Sequence, residues 1–204
     1  MGKGALSLSV RMYTRVAAFR TKLFAPLSFI VTKLHITPNH LTLLGILFFL
    51  LFACFARTRP TIALLFLIIG YLLDLMDGSL ARYQNVTSDR GKFIDMVADS
   101  LNFTLFTIGL VFANLLSGFI GMIAVYVMAA SKLFRSIYHA QLLPSSWRFH
   151  AVAGTVPNIF VGLGYLSFLF YVLTSTLVFF ELYLLLVFML AIDALLFFFR
   201  ILKN

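Results

Sequence analysis

A chain of 204 residues that is 62% hydrophobic and 11% charged, with a mean hydropathy of +1.02, is too apolar for a soluble domain of this size. Its 16 Lys and Arg against 7 Asp and Glu give a net charge of +9, which in so apolar a chain points to loops near anionic lipid and not to nucleic acid. Cys54 is the single cysteine and falls inside an apolar run, so a disulfide and a cysteine metal cluster are excluded and plain packing is expected.

Residues 1–36 carry Lys3, Arg11, Arg15, Arg20, Lys22 and Lys33 among apolar residues. The apolar piece from Leu23 to Thr32 is interrupted by Pro26 and too short for about 30 Å of hydrocarbon, so this segment is expected as an amphipathic helix at the membrane surface. No small-residue cleavage site follows it, and Leu6 stands where a myristoylation signal needs Ser or Thr. Thr37-Pro38-Asn39-His40-Leu41-Thr42 then opens the first long apolar run, with Thr37 as a helix cap and Pro38 in the first turn. Six spans follow, over 41–56, 60–77, 92–113, 117–140, 150–173 and 177–200. Placing the N-terminus inside leaves only Arg57 and Arg59 outside, as the positive-inside bias requires, and puts both ends on the cytoplasmic side. The expected fold is an all-α integral membrane protein of six transmembrane helices plus an interfacial N-terminal helix, divided as 1–36 and a single bundle over 37–204. No internal repeat is visible.

The stretch from Asp74 to Asp99, DLMDGSLARYQNVTSDRGKFIDMVAD, holds five of the seven acidic residues. Asp74 and Asp77 stand three apart at the end of one apolar run, and Asp95 and Asp99 four apart near the start of the next. On helices, both spacings put the pair on one face. Four carboxylates brought together repel one another, and divalent cations between them relieve that repulsion. Oxygen-only ligands suit Mg²⁺ or Mn²⁺, and two such ions form a clamp for displacement at phosphorus. The small residues Gly78, Ala81 and Gly91 allow close approach of a ligand or a helix, and Arg82 offers a planar fork to phosphate.

The pattern Asp74-x2-Asp77-Gly78-x2-Ala81-Arg82-x8-Gly91-x3-Asp95-x3-Asp99 resembles the signature of the CDP-alcohol phosphotransferases, membrane enzymes of phospholipid synthesis that are also called CDP-alcohol phosphatidyltransferases. The resemblance implies transfer of a substituted phosphate from a CDP-linked lipid to a small alcohol, with release of CMP. It makes Asp74, Asp77, Asp95 and Asp99 ligands of two divalent cations, Mg²⁺ or Mn²⁺, with Asp99 also the general base. It places the cytidine against Gly78 and Ala81, the pyrophosphate on Arg82, and Gly91 at a helix contact. The segment around Asn39 and Thr42 is similar to one that many family members hold beside the nucleotide. Homodimers are common in the family.

Charge inside a span needs a reason. Lys132 and Arg135 near the end of the fourth span, Arg148 at the start of the fifth and Arg200 at the end of the sixth read either as snorkelling anchors or as a phosphate pocket. The resemblance favours the pocket in the branch that uses phosphorylated acceptors, similar to the phosphatidylinositol-phosphate synthases, with inositol phosphate first and glycerol phosphate second. An unphosphorylated alcohol such as serine, inositol or choline is the alternative, and choline would ask for an aromatic cage. The 24 Phe are expected as bundle packing. Asp193 is expected to be satisfied within the bundle, Asp89 to be a helix-start or loop residue, Glu181 to be structural or solvated, and His139 and His150 to be interfacial. Asn158, beside Pro157, is expected to satisfy a helix kink. A cation-coupled transporter would need broken helices and an inverted repeat, and neither is visible. A membrane scaffold would leave the four aspartates without a purpose.

Overall fold

A computed structural model of the protein describes residues 3–142, 155–174 and 178–202. Every regular element among them is a helix: α1 (Lys3–Lys33), α2 (Pro38–Phe55), α3 (Pro60–Tyr83), α4 (Asp89–Phe112), α5 (Gly118–Leu142), α6 (Thr155–Thr174) and α7 (Val178–Leu202). Four are long and apolar enough to cross a membrane: α2, α3, α4 from Arg90 onward, and α7 from Tyr183. The described apolar parts of α5 and α6 are shorter, Gly118–Phe134 and Gly164–Thr174. Six apolar helices therefore stand where six spans were expected, and four of them meet the length and hydropathy of a span.

The helix ends follow local chemistry. Thr37 caps α2, and Pro38 occupies its first turn. His40 takes the place of the usual Glu or Gln of a capping box, its Nδ1 accepting from the Thr37 N–H at 3.2 Å. Ser88 caps α4, its Oγ accepting from the Gly91 N–H at 3.0 Å. His35, Asn85 and Asn114 adopt positive φ just after α1, α3 and α4. At each, the next amide reaches back five residues, as in Val86 N–H to Ala81 O at 3.0 Å, which closes the helix sharply.

Pro26 lies inside α1, which continues through it. Pro26 and Lys22 are both exposed, so the carbonyl that loses its partner faces outward. The motif connection is much shorter than the break drawn between residues 77 and 92. α3 runs on to Tyr83 and α4 starts at Asp89, so Gly78, Ala81 and Arg82 sit on a helix and Asp89 begins one.

α2 is the hub. It packs against both α3 and α4, which pack more on α2 than on each other; α1 lies on α3, and α5, α6 and α7 complete the bundle. The core is aromatic. Phe52 stacks on Phe106 with centroids 5.4 Å apart and meets Phe168 edge-on at 5.1 Å, while Tyr165 meets Phe106 at 4.8 Å. These aromatic residues serve as packing, as expected, while others such as Phe112, Phe119 and Tyr126 are exposed on the outside of the bundle. Cys54, expected as packing, is exposed on the outer face of α2.

Close approach of α2 rests on glycine. A Cβ on Gly109 would stand 2.5 Å from Phe52 Cε1 and 3.0 Å from the Ala53 Cα, whereas one on Gly118 would meet nothing within 4 Å. Gly109→Ala is therefore expected to destabilise the protein by about 1–3 kcal/mol through overpacking. Gly118→Ala, in the same assay of thermal unfolding in detergent, should leave the midpoint unchanged or raise it; equal behaviour of the two variants would contradict this account of the α2–α4 crossing.

Candidate active site

The two aspartate pairs face one another because α3 and α4 are joined by a connection of only Gln84 to Ser88 and diverge around α2. Asp74 and Asp77 project from the C-terminal half of α3, and Asp95 and Asp99 from the first half of α4. Asp74 lies within electrostatic reach of Asp99, Asp77, Asp95 and Lys132. Asp95 lies within reach of Asp99, Asp77, Lys132 and Arg20. The four motif carboxylates therefore share one polar space at one end of the bundle.

Each has a distinct support. The Thr42 hydroxyl donates to Asp77 Oδ2 at 2.6 Å, reaching from α2 to α3. The Asn102 amide donates to Asp74 Oδ1 at 3.1 Å, reaching from α4 to α3. Lys132 Nζ on α5 stands 3.2 Å from Asp99 Oδ2. Lys132 is 7% exposed, so its ammonium is held inside the bundle and is not a snorkelling anchor. Asp77 Oδ1 is buried without a hydrogen-bond partner. A buried carboxylate oxygen in that state, among further carboxylates, is the chemistry a hard divalent cation satisfies. Among the described residues no three His, Cys, Asp or Glu side chains are grouped tightly enough to hold a metal ion as they stand. The donor set fits in kind and in electrostatic proximity, without being closed around a point.

The nucleotide expectations separate. Gly78 is open: a Cβ there would meet only Arg82 Nη1, at 3.6 Å. Arg82 is held by Thr21 of α1, whose Oγ1 accepts from Nε at 2.8 Å, and by Ser79, whose Oγ accepts from Nη2 at 3.2 Å. Ala81 is half-buried beside it. Asn39 is exposed and, with Thr42, lines a groove of roughly 320 Å³ between α2 and α4, otherwise walled by apolar residues including Ile46, Phe93 and Val97. Thr42 is thus committed to Asp77 while also bordering this groove. Gly91, expected at a helix contact, has Ser88 Oγ as its close neighbour, 3.2 Å from an added Cβ; its smallness serves the cap of α4.

Of the four basic candidates, the structure brings Lys132 to the aspartates. Arg200 is exposed and lies over the Phe197 ring, 5.3 Å from its centroid, in the last turn of α7. Arg135 follows Lys132 by three residues on α5, but its side chain, like those of His139, Asn158, Glu181 and Asp89, is outside the described residues, as are Arg148 and His150 altogether. Asp193 is satisfied within the bundle, accepting from the Ser131 hydroxyl one residue before Lys132.

Asn102 and Arg20 were not read from the sequence as site residues. Asn102 follows Asp99 by three residues, a same-face spacing for a polar side chain in a span, and that signal was available. Arg20 is far away in sequence and only the docking of α1 brings it near.

The sequence profile of the CDP-alcohol phosphatidyltransferases matches residues 35–199, from the opening of α2 nearly to the end of α7. The chain belongs to the CDP-alcohol phosphatidyltransferase family. Among relatives, an archaetidylinositol phosphate synthase of Pyrococcus horikoshii is 32% identical over 124 residues, covering 57% of this chain and 66% of that protein. An uncharacterized protein of Aquifex aeolicus is 34% identical over 86 residues, covering 42% of this chain and 44% of that one. The chain thus spans less than two thirds of the length of these relatives. The segment matched by the family profile contains all four motif aspartates and Lys132, whereas α1, with Arg20 and Thr21, precedes it.

Proposed function

We propose that this phosphatidyltransferase moves the substituted phosphate of a CDP-linked lipid onto the hydroxyl of a phosphorylated polyol, inositol phosphate first and glycerol phosphate second, and releases CMP. The observation that carries this reading is the buried Lys132 ammonium 3.2 Å from Asp99 Oδ2, at the edge of the four-aspartate space. A phosphorylated acceptor needs a cation for its phosphate and a base for its hydroxyl, and these two side chains offer both within a few ångströms. The relative named archaetidylinositol phosphate synthase supports the same acceptor class.

Asp74, Asp77, Asp95 and Asp99 would hold two divalent cations, Mg²⁺ or Mn²⁺. When bound, such ions neutralise charge on the phosphoryl oxygens and favour departure of CMP. The chain's own residues supply the rest. Asp99 accepts the proton of the acceptor hydroxyl as its oxygen bonds to the lipid-bearing phosphorus, and the bond from that phosphorus to the CMP oxygen breaks. Thr42 and Asn102 hold Asp77 and Asp74 in orientation, each by one hydrogen bond. Open Gly78 leaves room for the nucleotide beside Arg82. We place α2 to α7 as six spans, with the site and both ends at the cytoplasmic face, where a lipid donor and a water-soluble acceptor meet.

The test is an acceptor panel. Purified protein with Mg²⁺ and CDP-diacylglycerol should release CMP and form a new phosphodiester lipid with inositol phosphate or glycerol phosphate, but not with free inositol or serine. Turnover with the unphosphorylated alcohols alone would refute the assigned acceptor and return Lys132 to a structural role.

A further inference from the structure

The N-terminal helix α1 supplies the site with a cation that the family pattern does not include. Arg20 extends from α1 to α3, where its Nη2 donates to the Leu75 carbonyl at 2.8 Å. That carbonyl also accepts from Ser79 Oγ at 3.1 Å, in the turn that leads to Gly78 and Arg82. The next residue, Thr21, holds Arg82 through its hydroxyl. Two guanidiniums thus flank one stretch of α3, one anchored on its backbone and one tied to α1.

Arg20 Nε is buried and has no hydrogen-bond partner. An arginine that anchors a helix needs one or two of its five N–H groups, and leaving another buried without an acceptor is unfavourable. Asp77 Oδ1 is also buried and unpartnered, and Arg20 and Asp77 are within electrostatic reach of one another. A guanidinium whose Nε–H is unused can give it to a phosphate oxygen while Nη2 keeps its bond to the Leu75 carbonyl.

Depth along α3 decides which phosphate. The nucleotide end is expected at Gly78 and Ala81, toward the end of the helix. Leu75 lies three residues, roughly 4.5 Å, further into the bundle from Gly78, and Tyr71, also within electrostatic reach of Arg20, about another turn beyond. The phosphate that bears the lipid would lie on that inner side, since the tails attached to it extend into the bilayer. We infer that Arg20 binds the lipid-bearing phosphate of the donor's pyrophosphate, which makes α1 part of the donor site. This inference rests on the donor reading given above.

The test uses the full chain in detergent with Mg²⁺ and compares CDP with CMP, which lacks the second phosphate. Arg20→Gln is expected to weaken CDP by about tenfold or more while CMP changes by no more than about twofold. If CDP and CMP weaken by the same factor, or neither weakens, Arg20 only docks α1 and the inference is overturned. Where Arg20→Gln fails to fold, Arg20→Lys keeps the charge and loses the fork. It should then lower the preference for CDP over CMP by at least about threefold, and an unchanged preference overturns the inference. Failure of the wild-type protein to bind CDP or CMP at all would sink the donor reading itself. Wild-type binding with an unaltered Arg20 variant would sink this inference alone.

Discussion

Replacing Asp95 or Asp99 with Asn is expected to lower turnover by roughly 10²–10⁴-fold while the protein still folds. The substitution keeps the shape of the side chain but removes the charge needed to balance a cation and, at Asp99, the group that takes the acceptor proton. Its effect on stability should run the other way. Four carboxylates share one space and are within electrostatic reach of one another. Removing one negative charge relieves repulsion, so the thermal midpoint without ligand should be unchanged or higher at Asp95. Loss of activity together with retained stability separates a chemical role from a structural one. Rates of CMP release and thermal unfolding in the same detergent check both halves, and full activity in both variants would remove the mechanism.

Lys132→Gln should raise KM for a phosphorylated acceptor roughly 10- to 100-fold, the equivalent of losing a charge-assisted hydrogen bond of about 1.5–3 kcal/mol. KM for the CDP-linked donor should change little. The split between the two substrates is the useful readout. Lys132 is buried and its visible partner is Asp99, so a purely structural lysine would, when replaced, leave Asp99 without its counter-charge and disturb both substrates together. An equal rise for donor and acceptor would therefore place Lys132 in the scaffold and not in the acceptor site.

How far the sequence could be read depended on the range of the interactions. Spacings of three and four residues put Asp74 with Asp77 and Asp95 with Asp99 on common helix faces, and hydropathy located the six apolar helices. Thr37 and Pro38 marked the start of α2 from local chemistry alone. Helix ends were less legible. Continuation of α3 through Gly78 to Tyr83 depends on the Asn85 closure, and continuation of α1 through Pro26 on an outward-facing carbonyl. Gly109 gave no local sign that Phe52 and the backbone at Ala53 would press against it. Contacts between distant segments were invisible: Thr42 to Asp77, Arg20 to Leu75 and Ser131 to Asp193 join residues 35, 55 and 62 positions apart. Thr42 was singled out for the nucleotide, and the structure shows it first as the support of Asp77.

The central claim, metal-dependent phosphoryl transfer from a CDP-linked lipid at the four aspartates, is tested most directly by CMP release from CDP-diacylglycerol in the presence of inositol phosphate. The purified protein is stripped with a chelator and then given Mg²⁺. The account predicts no release after stripping, recovery on adding Mg²⁺ or Mn²⁺, and no recovery in Asp95→Asn. Release that persists without divalent cations, or that is restored equally in Asp95→Asn, would contradict it.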